Sequence, residues 1–203
     1  MPNTKNSLAK DIVDDCQATK KQIIETATEL FSQFGYVGVA MSKIADSLGI
    51  TKAALYYHFD SKSSLYLETL NQASEEFIVS LEEVVRSEHL SYRQKMQKVI
   101  TLYLEIGLRK GSLIQLTIQK IKKDDCVIIN SIVKARKQII YLIEPVIKEF
   151  LEAGGKIKKV NSLLMTKLLI GMLDSYLLRS LFRKDNQWTP KEIARQIDVA
   201  LFN

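Results

Sequence analysis

Residues 41–59 read MSKIADSLGITKAALYYHF and contain two short apolar segments separated by Gly49. The spacing predicts a two-turn helix over 41–48 and, after the capping residue Thr51, a second helix over 52–59. Helices this short are unstable alone in water, so they must pack on each other and on the helix before them. Gly49 permits the sharp turn between them. The apolar residues available for the shared core are Ile44, Leu48, Ile50 and Leu55. This arrangement is typical of a helix-turn-helix unit.

The second short helix displays small side chains first and aromatic and imidazole groups after them. Small residues let a helix enter the major groove of DNA, where alanine can contact thymine methyl groups. Hydroxyl groups, lysines and the backbone N–H groups at helix starts can donate to phosphates. The alternative is that the large apolar and aromatic residues of this segment belong to the core. We accept that alternative for Leu55 and Phe59. Adjacent tyrosines cannot share one buried face, so Tyr56 and Tyr57 favour DNA binding.

The flanking sequence predicts further helices and no strands. Thr19 is placed to cap a helix that ends at Gly35, and residues 1–16 are a frayed tail or a partly helical arm. Ser61 is placed to cap a long helix that ends near Ser87. Further helices are expected at about 91–110, 112–122, 125–153, 160–183 and 190–202, with Pro145 inside one of them and Gly111 as one of the breaks. The predicted class is all-α, with about nine helices.

Composition excludes several classes of protein. The chain has 203 residues with 46% hydrophobic residues, which is ordinary for a globular protein and unlike a disordered one. No stretch approaches the roughly 20 apolar residues that span a bilayer, and the first residues lack a secretory signal, so we expect no membrane partner and a cytoplasmic protein. Cys16 and Cys126 make no disulfide framework or metal motif, and no cofactor is expected.

Net charge does not by itself predict DNA binding. Residues 1–62 hold 7 lysines and 7 acidic residues, so the formal charge of +6 belongs to residues 63–203. A DNA-binding prediction therefore depends on the placement of individual residues in the short-helix unit.

The run Gly35-Tyr36, followed by residues 44–65 (IADSLGITKAALYYHFDSKSSL), resembles the DNA-binding domain of TetR-family (tetracycline-repressor-like) transcriptional regulators. The resemblance implies a helix-turn-helix DNA-binding domain at 17–62, preceded by the arm at 1–16. It implies a helical effector-binding and dimerisation domain at 63–203. Carried over position by position, it places Thr51, Lys52, Ala53 and Ala54 at bases or adjoining phosphates, Tyr56, Tyr57 and His58 at the DNA backbone, and Lys62 at a phosphate.

Three positions depart from the family pattern. Ala40 stands where the family usually has Thr or Ser to cap the second helix, and the missing cap should weaken that helix by about 1 kcal/mol unless a neighbour compensates. Ser42, which we include among the DNA-binding residues, stands where an arginine is frequent. Glycine is common at the position of Ala53.

The stretch 162–182 is apolar on more than one face. A helix with one side exposed to water needs only one apolar face. Resemblance to the family implies a dimer seam here, with Leu164, Leu168, Met172 and Tyr176 as its residues. The alternative is a central buried helix, and one helix can be core on one side and interface on the other.

Resemblance to the family also implies a ligand pocket among the middle helices. The candidate lining residues are large, adaptable apolar groups, namely Phe77, Met96, Tyr103, Ile106, Leu113, Leu116, Tyr141 and Met165. The alternative for each is simple core packing. Glu105 and Glu144 could pair with a cationic ligand or face water.

These observations predict a homodimeric repressor that binds a palindromic double-stranded DNA operator and is released by a small, hydrophobic effector not yet identified. The alternative is a helical protein–protein interaction module without sequence-specific DNA binding. An enzyme is not expected, because the sequence has no nucleophile elbow, phosphate loop or paired-acid motif, and His58 and His89 have no evident partners.

Overall fold

The computed structural model of the chain describes residues 4–118, 126–153, 160–183 and 187–202, and these residues form eight α-helices and no strand. The helices are α1 (Thr4–Gly38), α2 (Met41–Leu48), α3 (Lys52–His58), α4 (Lys62–Arg86), α5 (Tyr92–Ile118), α6 (Cys126–Glu152), α7 (Ser162–Arg183) and α8 (Pro190–Phe202). The prediction of an all-α protein is confirmed. None of these helices is long and apolar enough to cross a bilayer.

Helix α1 begins earlier than the sequence suggested. The predicted start at Thr19 is wrong, because the helix already begins at Thr4 and no glycine or proline interrupts residues 4–34. Of the two alternatives for the arm, the helical one is confirmed from Thr4 onward. The predicted break at Gly35 is confirmed, since its φ of 69° and ψ of 169° depart from helical geometry.

The short helices α2 and α3 match their predicted bounds to within one residue. Ala40 occupies the N-cap position of α2 and makes no side-chain hydrogen bond there, as expected from the missing Thr or Ser. Gly49 ends α2 in the left-handed conformation, with φ 66° and ψ 24°. Thr51 caps α3, because its Oγ1 accepts a hydrogen bond from the backbone N–H of Ala54 at 3.1 Å.

Helix α4 also starts as predicted. The hydroxyl of Ser61 accepts from the backbone N–H of Ser64, and the Ser64 hydroxyl oxygen accepts from the backbone N–H of Ser61. This reciprocal pair forms a capping box that satisfies two otherwise unpaired donors.

The predicted break at Gly111 is wrong. Helix α5 runs without interruption from Tyr92 to Ile118, so the two helices expected at about 91–110 and 112–122 are one in the described residues. A glycine inside a helix costs about 1 kcal/mol relative to alanine, which a helix of 27 residues can absorb. This difference accounts for eight described helices in place of nine. Residues 119–122 lie outside the described residues. Pro145 lies inside α6 as predicted.

Two separate clusters of buried apolar residues form the core. The first joins α1, α2, α3 and the amino-terminal half of α4, and it includes Ile44, Leu55 and Tyr66. The second joins the rest of α4 with α5, α6, α7 and α8. Ile128 of α6 belongs to the first cluster and is 1% exposed, so α6 connects the carboxyl-terminal helices to the core of the short-helix unit.

Candidate DNA-binding site

Helix α3 is held by a single buried residue and presents the rest of its surface to solvent. Leu55 is fully buried and Phe59, just after the helix, is 6% exposed, so both predicted core residues are confirmed. The predicted base-facing residues Thr51, Lys52, Ala53 and Ala54 are all exposed. The first turn of α3 therefore exposes the small side chains of Ala53 and Ala54, which would allow the helix to enter a major groove.

The predicted backbone-contacting residues lie beside this surface. Tyr57 is 81% exposed and Tyr56 is 42% exposed, which contradicts a core role for the adjacent tyrosines. The ring of Tyr57 meets the half-buried imidazole of His58 edge-on, at a centroid separation of 5.3 Å. The ammonium of Lys52 lies 5.8 Å from the Tyr56 ring centroid, so lysine and tyrosine share one face of α3.

Ser42 is exposed at the amino-terminal end of α2. Its neighbour Lys43 folds back over α1, with its ammonium 3.4 Å from the centroid of the Phe34 ring. The placement of Ser42 agrees with a position near DNA, and its contact stays a prediction.

Lys62 differs from the other predicted contact residues, because its side chain is half-buried and turns toward the end of α1. Its Nζ donates hydrogen bonds to the backbone carbonyls of Tyr36 at 2.8 Å and Val39 at 3.0 Å. The same ammonium lies 4.4 Å from the centroid of the Tyr36 ring. The phosphate contact expected of Lys62 stays a prediction, and the structure gives its ammonium a different set of partners.

Three aromatic rings pack behind Lys62. Tyr66 is fully buried, and its ring centroid is 4.8 Å from that of Phe31 and 4.8 Å from that of Tyr36. Burial, and secondarily the nearby Tyr36, raises the pKa of Tyr66 well above its ordinary value. The phenol therefore stays neutral, and the cluster joins the end of α1 to the first turns of α4.

The predicted ligand-lining residues differ in how deeply the fold buries them. Phe77, Met96 and Tyr103 are buried in the second core, and the rings of Phe77 and Tyr103 meet edge-on at 5.6 Å. Tyr141 is 68% exposed on α6, so its prediction as a lining residue of an interior pocket is wrong. The helical pattern placed Tyr141 on a face of α6 that the fold turns outward.

The remaining lining candidates are Ile106 and Met165, which are half-buried, and Leu113 and Leu116, whose side chains lie outside the described residues. Ile106 takes part in an open groove between α4 and α5. The other residues of that groove are mostly polar, namely Gln72, Glu75, Glu76, Val79, Ser80 and Arg109. Glu105 is exposed, and Glu144 accepts a hydrogen bond from the hydroxyl of Ser162 at 2.8 Å.

A polar network that the sequence analysis missed joins α5, α6 and α7 at the edge of the second core. The hydroxyl of Tyr103 on α5 donates to Oδ1 of Asp174 on α7 at 2.5 Å, and Arg136 on α6 donates from Nη2 to Oδ2 of the same carboxylate. Burial, followed by the nearby Asp174 carboxylate, raises the pKa of Tyr103 above its ordinary value. The sequence did contain a signal for this network, because Asp174 stands within the apolar run of α7. A carboxylate that turns inward from such a run needs a polar partner.

Helix α7 has two different apolar faces. Leu169, Ile170, Leu173 and Leu177 are buried in the second core. Leu164, Leu168 and Met172, which recur at a spacing of four residues, are 52%, 59% and 53% exposed in the single chain. Helix α7 is therefore core on one side and exposed on the other in the single chain, and the dimer seam stays a prediction. Tyr176 is half-buried, and its hydroxyl donates to the backbone carbonyl of Trp188 at 2.9 Å.

The amino-terminal region matches known regulators in sequence. The profile of the family described as "Bacterial regulatory proteins, tetR family" matches residues 23–69. The icaADBC negative regulator IcaR of Staphylococcus aureus is 51% identical over 51 residues, which are 25% of this chain and 27% of that protein. A probable acrEF/envCD operon repressor of Escherichia coli K12 is 26% identical over 132 residues, 64% of this chain and 60% of that protein. The match thus spans less than two thirds of either relative.

Solved structures share the fold along most of the chain. FadR of Bacillus subtilis matches with a TM-score of 0.73 and 19% identity, covering 90% of this chain and 97% of that one. The TetR-family regulator PfmR of Thermus thermophilus matches with a TM-score of 0.68 and 21% identity, covering 87% and 94%. The amino-terminal region is thus similar to the TetR family of helix-turn-helix transcriptional regulators over residues 23–69, and the fold of a solved regulator of that family extends over most of the remaining chain.

Proposed function

We propose that this protein is a homodimeric repressor that binds a palindromic operator and is released by a small-molecule ligand that carries a hydrophobic group. The observation that carries the proposal is the surface of α3, where a capped first turn exposes Lys52, Ala53 and Ala54 beside two exposed tyrosines. Repression is supported by the staphylococcal relative, which is a negative regulator, and by the E. coli relative, which is described as an operon repressor.

DNA recognition would use the two short helices together. Small residues at the start of α3 would enter the major groove, while Thr51, Tyr56, Tyr57 and His58 would contact the backbone on either side. Ser42 at the start of α2 is exposed on the same unit. One two-turn helix reads few base pairs, so a two-fold pair reading half-sites about one helical turn apart gives the needed specificity.

The second copy would cover the exposed stripe of α7. Leu164, Leu168 and Met172 form a continuous apolar row in the single chain, and such rows mark protein interfaces. A two-fold dimer places the same stripe of each chain against its partner, because such an interface is self-complementary. Tyr176 would extend the row by one further turn.

The effector would act on the carboxyl-terminal helices. Two relatives of the same fold suggest its class: FadR of B. subtilis was crystallised with stearoyl-CoA, and AibR with isovaleryl coenzyme A and operator DNA. We therefore propose an acyl-coenzyme A thioester as the first effector class to test. A ligand that favours one spacing of the two α3 helices would change operator affinity by its difference in affinity for the two states.

A gel-shift titration on the intergenic DNA flanking the protein's own gene, with competitor DNA at a stated salt concentration, tests the proposal. We expect a discrete complex at nanomolar protein, protected over a palindrome. The double variant Lys52→Glu, Tyr57→Ala should abolish it while sedimentation still shows a dimer. The matched control is Lys148→Glu, which changes an equally exposed lysine on α6 and should bind normally.

Addition of isovaleryl-CoA or stearoyl-CoA to the complex should release the DNA, with free coenzyme A as the control. Binding no tighter than to competitor DNA, both there and after selection from random DNA, would favour an interaction module without sequence-specific DNA binding. A specific complex that no acyl-CoA weakens would retain the repressor and reject this effector class.

A further inference from the structure

The start of α2 lacks the usual cap, and a residue from another helix holds the segment before it. Ala40 makes no side-chain hydrogen bond at the N-cap position. The two carbonyls that accept hydrogen bonds from Lys62 belong to Tyr36 and Val39, on the segment that leads into this cap. Lys62 is distant in sequence from both, so the contact joins the start of α4 to the last turn of α1 and to the residue that follows it.

The ammonium is well suited to this place. Carbonyl groups at the end of a helix have no intrahelical partners and carry partial negative charge, so a cation there is stabilised. The face of the Tyr36 ring adds a cation–π contact at 4.4 Å, and that ring packs against the buried Tyr66. Val39 is 1% exposed, which leaves the segment little room to move once Lys62 has bound it.

We propose that Lys62 serves DNA binding as a positioning residue, which holds the 36–40 segment and so fixes the direction of the amino-terminal end of α2. Two of the three N–H donors of the ammonium bind these carbonyls, so we assign Lys62 this role in place of a side-chain contact to phosphate. First-turn N–H groups of a helix lack intrahelical partners and can bind phosphate, so their direction matters for affinity. The inference rests on the proposed operator binding.

The dependence of operator affinity on salt distinguishes positioning from direct contact. Each phosphate contact that is lost reduces the slope of log K against log salt by about 0.9. Lys62→Met removes the charge and keeps an unbranched stem, and we expect operator affinity to fall at least about fivefold with an unchanged slope. The matched control Lys52→Met changes the exposed lysine of α3 and should reduce the slope by about one. A similar loss of slope in Lys62→Met would overturn the proposal.

Hydrogen exchange in the free protein tests the same inference without DNA. Lys62→Met should speed amide exchange selectively at 44–48, the amides of α2 that have helical acceptors, because the start of α2 loses its support. Lys62→Arg, which keeps a cation that can donate to carbonyls, should restore most of the protection. Exchange at 44–48 that matches the wild type in Lys62→Met would refute positioning. If the wild type itself binds no operator, the proposed function fails, and this measurement still decides whether Lys62 holds α2.

Restoring the missing cap of α2 provides a further test of the positioning role of Lys62. In the Lys62→Met background, Ala40→Ser should recover operator affinity and protection by a larger factor than it adds to the wild type. A serine hydroxyl can cap α2 but cannot replace a cation on phosphate. Equal effects in the two backgrounds would count against the proposal.

Discussion

The guanidinium of Arg93 holds the carboxylate of Asp198 in a two-pronged hydrogen bond, with Nε 2.7 Å from Oδ1 and Nη2 2.8 Å from Oδ2. Arg93 lies in the first turn of α5 and Asp198 lies in α8, near the end of the described chain. Asp198 is only 4% exposed, so its carboxylate oxygens are shielded from water and accept hydrogen bonds from this partner instead. The pair anchors α8 against the start of α5.

We expect Arg93→Ala to lower the midpoint of thermal unfolding by several degrees, because it leaves a buried carboxylate without its partner. Asp198→Asn should lower it less, since the buried group is then neutral. The control is Arg195→Ala, an exposed arginine on α8. The measurement is thermal unfolding followed by circular dichroism, and equal midpoints for Arg93→Ala and Arg195→Ala would contradict the assigned role.

Gly107 allows α5 and α7 to approach closely. A methyl group at this position would overlap Cδ1 of Leu177 and lie 2.9 Å from its Cδ2. Alanine normally stabilises a helix relative to glycine. We nevertheless expect Gly107→Ala to reduce the free energy of unfolding by about 1–3 kcal/mol, because the core is overpacked. Urea denaturation of Gly107→Ala, Leu177→Ala and the double variant should show that the second change relieves the first. Purely additive effects would mean that the two positions do not clash.

Gly49 provides the left-handed residue between α2 and α3. Its φ is +66°, and a Cβ there would meet no atom within 4 Å, so any cost of substitution comes from the backbone. We expect Gly49→Ala to cost about 1–2 kcal/mol of stability, and Gly49→Asn to cost less, because asparagine tolerates this conformation. Urea denaturation of the two variants provides the comparison, and equal stability of all three proteins would show that the turn had adopted another conformation.

Ile128 connects α6 to the core of the short-helix unit. The residue is 1% exposed, whereas its neighbour Val127 is 61% exposed. We expect Ile128→Ala to reduce stability by about 2–4 kcal/mol through the cavity it leaves, and Val127→Ala to have little effect. Hydrogen exchange should show that Ile128→Ala loosens α1–α4 as well as α6. Loss of protection confined to α6 would mean that the two regions are not coupled through this residue.

The short-helix unit could be predicted almost completely from the sequence, because its signals are local. Thr51 and Ser61 cap helices through atoms three residues away, and Gly49 ends α2 by its own backbone conformation. Exposure of Tyr56 and Tyr57 followed from the rule that adjacent residues cannot share one buried face. Local signals failed where a long helix overrode them, as at Thr19 and Gly111.

The sequence by itself thus determined the helical class, the helix-turn-helix unit and the surface of α3. Only the tertiary structure decided where Lys62, Asp174 and Ile128 make their contacts, and that Tyr141 faces outward. Each of these outcomes depends on residues far apart in the chain, such as Asp174 with Tyr103 and Arg136. Helical periodicity places side chains on a common face, but the neighbour that this face meets is set by how the helices pack around one another.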